Sequence, residues 1–118
     1  MKTYVALTQG IYFLITGLWP VFSIATFQKV TGPKTDLWLV KTVGVLIAAI
    51  GASLTVAGCD GRVTTAEVTL GIAGAGGLAG IDAYYGLKRV ISPVYLGDTV
   101  LELCLVGWWV AALLFFPE

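Results

Sequence analysis

Four ionisable side chains stand inside or at the edge of otherwise apolar stretches: Lys41, Asp82, Asp98 and Glu102. A charge placed in a membrane span costs a few kcal/mol, so it turns to the protein interior and finds a partner. Asp98 and Glu102 are four residues apart and share one helix face. With Lys41 and Asp82 they would form a polar cluster, and Trp38 and Tyr84 fall at similar depth. Such a cluster would bind a polar headgroup, an ion or a proton, and an Asp/Glu pair is the one general base the chain offers in lipid. Gln9, Tyr12 and Thr16 would extend a path along the first helix. A plain structural account of the same residues stands beside this one. Asp98 would cap a helix start, with Glu102 one turn later still near its positive end. Lys41 would snorkel to the headgroups. Asp82 would pair with Arg89 at the rim, and Trp38, Tyr84 and Tyr85 would form an aromatic belt.

Composition narrows the chemistry. The chain has 118 residues, of which 58% are hydrophobic and 12% charged, with a net charge of zero. That charged share is about half that of a soluble domain, and mean hydropathy is +0.90. Neutrality gives no footprint for nucleic acid. There is no histidine and no asparagine. Bis-histidine haem, histidine-bearing zinc sites and a Ser-His-Asp triad are thereby excluded within this chain, and no metal or other cofactor is expected. Cys59 and Cys104 are far apart in sequence, form no CxxC, and read as apolar filler near opposite faces of the membrane. The run GIAGAGGLAG (Gly71–Gly80) has Ala79 where G-x-G-x-x-G needs its third glycine, no following lysine, and no preceding strand. It is not a nucleotide loop.

The elements that must position the ionisable residues are four apolar runs at about 4–27, 37–58, 65–87 and 99–116. Each approaches the ~20 residues that cross a hydrocarbon core. The first is too long for the core of a cleavable signal and is read as a retained span. Pro20 would kink it, or end it and leave Ser23–Lys29 along the interface. Gly32-Pro33, Ser92-Pro93 and Gly97-Asp98 punctuate the loops, Thr35 or Asp36 would cap the second helix, and Thr64-x-x-Glu67 fits a capping box. The expected fold is an all-α membrane protein, a single four-transmembrane-helix up-down bundle over residues 1–118, without a clear internal repeat.

Small residues suggest the contacts. Gly44, Ala48 and Ala52 repeat at four-residue spacing, and Gly76 and Gly80 form a GxxxG extended by Ala83. Such ladders let backbones approach closely in lipid, within one chain or between copies.

The stretch Gln9–Gly32, QGIYFLITGLWPVFSIATFQKVTG, resembles the opening of small bacterial DoxX-like four-helix membrane proteins over about the first quarter of the chain. The resemblance implies a cytoplasmic N-terminus and, for some members, association with quinone-linked oxidoreductases; it transfers no functional residue. Small multidrug transporters have a similar size but rely on an acid in the first helix, and fluoride-channel-like proteins need pore asparagines; both are lacking here. The expectation is a multi-pass protein of the bacterial inner membrane, in contact with lipid and with further copies or a larger membrane complex. Its role would be an accessory or small-ligand-binding subunit, with a small transporter or channel, or a membrane enzyme, as the alternatives.

Lys29, Lys34, Lys41, Lys88 and Arg89 fall on one side, Lys2 and Arg62 on the other, which puts the first and third loops in the cytoplasm. In a background freed of Cys59 and Cys104, single cysteines in the Lys29–Lys34 loop should label only from the cytoplasm, and at residues 60–62 only from outside. The opposite pattern would favour the orientation of the DoxX-like group.

Overall fold

Breaks in the apolar runs fall where the chain cannot easily continue a helix. The structure, a computed structural model describing residues 1–115, contains α1 (Lys2–Phe22), α2 (Ile24–Thr31), α3 (Leu37–Asp60), α4 (Thr65–Leu87) and α5 (Val94–Phe115), with no strand among the described residues. Phe116, the expected end of the fourth span, lies outside the described residues. Pro20 offers no N–H to the Thr16 carbonyl. The helix runs two residues further, and Ser23 leaves it with φ −149° and ψ 80°. The expected first span of 4–27 is therefore two helices. Trp19 meets Phe27 edge-on at 5.3 Å and donates its Nε1–H to Thr26 Oγ1 at 3.0 Å, fixing the junction.

The two central connections end their helices with the same hydrogen-bond pattern. At the end of α3, Arg62 N–H donates to the Ala57 carbonyl and Gly61 N–H to Gly58, with Gly61 left-handed at φ 65°. At the end of α4, Val90 N–H donates to Tyr85 and Arg89 N–H to Gly86, with Arg89 left-handed at φ 59°. This is the Schellman motif. Glycine takes the left-handed position freely, whereas a residue with a Cβ is disfavoured there by ~1–2 kcal/mol. The capping box opens α4 as expected: Glu67 accepts from the Thr64 N–H and hydroxyl.

α5 starts at Val94, five residues before the expected Thr99. Ser92 and Pro93 carbonyls accept from Tyr95 and Leu96 N–H and supply its first turn. Asp98 is consequently inside α5, not at its N-cap.

Contacts fix the direction of every long helix. A Cβ built on Gly10 would lie 2.8 Å from the Gly51 carbonyl oxygen, and one on Gly17 would lie 2.5 Å from that of Gly44. Gly58 in turn faces Leu7. Numbers fall on α1 as they rise on α3, so the two are antiparallel with their backbones touching. Gly10 and Gly17, like Gly44, Gly51 and Gly58, are seven apart, the repeat of a left-handed helix seam. Gly71 faces Trp109 and Gly86 faces Leu96, making α4 and α5 a second antiparallel pair. Gln9 reaches Gly71 and Trp109, and Tyr12 reaches Asp98, which joins the pairs through α1.

Packing departs from the expected ladders at three positions. Gly44 and Ala48 are buried, but Ala52 is exposed and Gly51 takes its place. Gly76 and Gly80 are exposed with open space where a Cβ would stand. Within the chain α4 uses instead Gly71, Ala75, Ala79, Asp82 and Gly86. A helix must present one stripe to its neighbour, and the bulk of Trp109 selects the stripe containing Gly71.

Helices α1, α3 and α5 are long and apolar enough to cross a membrane. α4 is as long, but its glycines together with Glu67 and Asp82 lower its hydropathy.

Gly51→Ala should therefore destabilise, because the new methyl meets the Gly10 carbonyl oxygen and the Leu14 nitrogen, each at 2.6 Å. Overpacking of this kind costs ~1–3 kcal/mol. Gly80→Ala should be neutral or stabilising by up to ~1 kcal/mol through helix propensity. Thermal unfolding in detergent checks both, and the reverse ranking would contradict the assigned seam.

Candidate functional site

The interior between α1, α4 and α5 is polar in two layers. In the first, near the chain-termini end of the helices, Gln9 is completely buried and donates Nε2–H to the Gly71 carbonyl at 2.9 Å. Its Oε1 accepts from Trp109 Nε1 at 2.6 Å. One amide thus ties three helices, with both functional ends satisfied. Trp109, Leu54, Val5 and Ala112 close around it as a dry apolar core. Leaving either buried group unpaired would cost about 1–3 kcal/mol.

The second layer lies towards the α4–α5 connection and is acidic. Asp82 comes from α4, Asp98 and Glu102 from successive turns of α5, and Tyr12 from α1. The Tyr12 hydroxyl donates to Asp98 Oδ1. Asp82 is within hydrogen-bonding reach of Asp98, and Glu102 lies near both. Asp82 is 6% exposed and Glu102 1%. Asp82 Oδ2 and Glu102 Oε2 are buried without a hydrogen-bond partner. Asp98 and Tyr12 are only half-buried, so they link the layer to the outside.

Among the described residues no lysine or arginine hydrogen-bonds to Asp82 Oδ2 or Glu102 Oε2. Lys41, placed in the cluster by the sequence reading, is exposed on the far side, lining a shallow groove with Val21, Thr42, Val45 and Leu46. Lys41 is on the same face of α3 as Gly44 and Ala48 but nearer its start, where it stands beside Val21 at the end of α1 and outside the interior that holds the acids. Arg89, seven residues after Asp82, lies past the end of α4 in the left-handed turn and does not form the rim pair. Trp38 and Tyr84 are 70% and 53% exposed, outside the cluster. Tyr84 accepts a hydrogen bond from Lys88 Nζ at 2.8 Å and packs edge-on to Tyr85, as an interfacial belt would. Thr16 bonds back to the Tyr12 carbonyl and adds nothing to the site. Cys59 and Cys104 are free and exposed rather than core filler.

Three like charges this close, enclosed in protein without a counter-ion, repel one another and lose their hydration. The arrangement is stable only if protons or a cation occupy it. Among the described residues no three Asp, Glu, Cys or His side chains converge as metal ligands. Pairwise carboxyl contacts and a hydroxyl suit protons, each of which needs two oxygens rather than a shell.

Sequence reasoning placed Asp82, Asp98 and Glu102 together and set Tyr12 on the path. It missed the Gln9–Trp109–Gly71 tie. Its signal was present: a glutamine amid apolar residues and a tryptophan late in α5, opposite a glycine early in α4.

No family model, curated protein or solved structure matches this chain.

Proposed function

We propose that the protein is a small membrane subunit carrying a one-sided proton well, without catalysis of its own. Three helices already suit a bilayer by length and composition. A fourth span is supported by α4, which is of similar length and lies antiparallel to α5 from Gly71 to Gly86. The observation that carries the reading is the pair of buried, unpartnered oxygens, Asp82 Oδ2 and Glu102 Oε2. Asp98 is the entry, since it is half-buried and touches both Tyr12 and Asp82. Protons arriving from the side of the α4–α5 connection, the cytoplasm by charge count, are handed to Asp82 and Glu102. The Gln9–Trp109 layer stops them from crossing.

A gated carrier or a proton-handling accessory of a larger complex would both use such a well. A membrane enzyme finds less support, because the acids are sealed from any substrate larger than an ion.

In liposomes containing a pH-sensitive dye and energised by a potassium gradient with valinomycin, the wild-type protein should conduct few protons. Gln9→Ala, which opens the seal, should raise the flux several-fold. Adding Glu102→Gln should return it to the wild-type level. Flux through the Gln9→Ala protein that is indifferent to Glu102→Gln would remove the acids from the path.

A further inference from the structure

The molecule has a second polar recess, separate from the acids and opposite to them in charge. It lies between the turn after α2 and the connection from α4 to α5, with a volume of about 570 Å³. Thr31, Pro33, Lys34, Arg89, Ser92 and Pro93 are among its walls, and no carboxylate lines it. We propose that this recess binds a phosphate group, carried either by a lipid headgroup or by a free phosphate anion.

Both of its cations are placed by the backbone. Lys34 Nζ donates to the carbonyls of Thr31 at 2.9 Å and Gly32 at 3.0 Å, at the C-terminal end of α2. The same ammonium stands 5.9 Å from the centre of the Phe27 ring and 5.2 Å from that of Tyr95. These contacts fix its position while leaving its charge without an acidic partner. Gly32 permits the turn through φ 95°, which a side chain would resist.

Arg89 supplies the second charge from a backbone conformation that favours glycine. The equivalent turn after α3 does use glycine, at Gly61. A left-handed arginine is less stable than glycine at this site, and strained residues of this kind gather where a ligand uses them. The recess gives the strain an explanation, since its wall includes Arg89 and, among the described residues, no carboxylate. A guanidinium binds phosphate oxygens in pairs, and a fixed ammonium adds a point charge. Ser92, on the same wall, offers a hydroxyl just before the start of α5, where the helix dipole also favours an anion. The volume holds a phosphate together with a small polar group attached to it. In a protein that crosses a bilayer, a basic recess between helix ends lies at headgroup depth.

Calorimetric titration of the whole purified chain in a neutral detergent separates the two sources. The probes are inorganic phosphate and water-soluble dihexanoyl phosphatidylglycerol. Saturable binding of the lipid that phosphate does not displace assigns the site to headgroups. Saturable binding of phosphate that competes with the lipid assigns it to the free anion. In either case Arg89→Gln should weaken binding about tenfold, the loss of one charge-assisted contact. Arg89→Gly should weaken it equally while raising the unfolding temperature, a combination that a purely structural arginine would not give. Lys34→Gln provides a further variant in which Arg89 and its turn are intact, and it should also weaken binding. The proposal is overturned if neither probe saturates, or if all three variants bind as the wild type does.

Discussion

Backbone contact between α1 and α3 is the constraint on which the other positions depend. Two helices whose glycines touch carbonyl oxygens can adopt few relative rotations, because any side chain in the seam pushes them apart. With Gly10 and Gly17 committed to α3, the adjoining face of α1 carries Gln9, Tyr12 and Phe13 towards α4 and α5. The second pair then closes on that face through Trp109, whose bulk is accommodated by Gly71 and whose indole N–H is satisfied by Gln9. Lys41, exposed near the start of α3 beside Val21, lies outside the interior between α1, α4 and α5 and gives the acids no counter-ion.

Charge is thereby sorted by depth. Asp82, Asp98 and Glu102 are between α1, α4 and α5, whereas the cations, like the remaining described acids, sit at the helix ends and in the loops beside them. An enclosed carboxylate without a partner is expensive, so the cluster must take up something positive or hold its protons. Lys34 and Arg89 are held away from it by their own carbonyl contacts and turn geometry, which makes them available to anions. The two recesses are independent consequences of one helix arrangement.

Much of the helical layout is legible in the sequence because apolar length and loop punctuation are local signals. The limits of α4 follow from Thr64, Glu67 and the charged residues after Leu87. The start of α5 was misplaced because Gly97-Asp98 has the composition of a cap, yet Ser92-Pro93 had already begun the helix. Rotation about the helix axis is not a local property, and there the reading was divided. Asp98 and Glu102 share a face by their spacing alone, so their proximity was foreseeable. Ala52, Gly76 and Gly80 required knowing which stripe each helix buries, and Lys41 required knowing that α3 packs on α1 and not on the helices that carry the acids. The four-residue ladders drew attention from the seven-residue repeat of Gly44, Gly51 and Gly58, which is the one that packs. Arg89 gave no sign in the sequence, because a left-handed backbone at a non-glycine residue is set by the turn it closes.

The central claim is that the buried carboxyls of Asp82 and Glu102 have no counter-ion and hold protons. Infrared spectroscopy of the protein in lipid at neutral pH tests it directly, because a protonated carboxyl has a carbonyl stretch distinct from the carboxylate bands. The account predicts protonated-carboxyl absorption that decreases in Asp82→Asn and again in Glu102→Gln. A wild-type spectrum with carboxylate bands alone, unchanged in that region by either substitution, would contradict it.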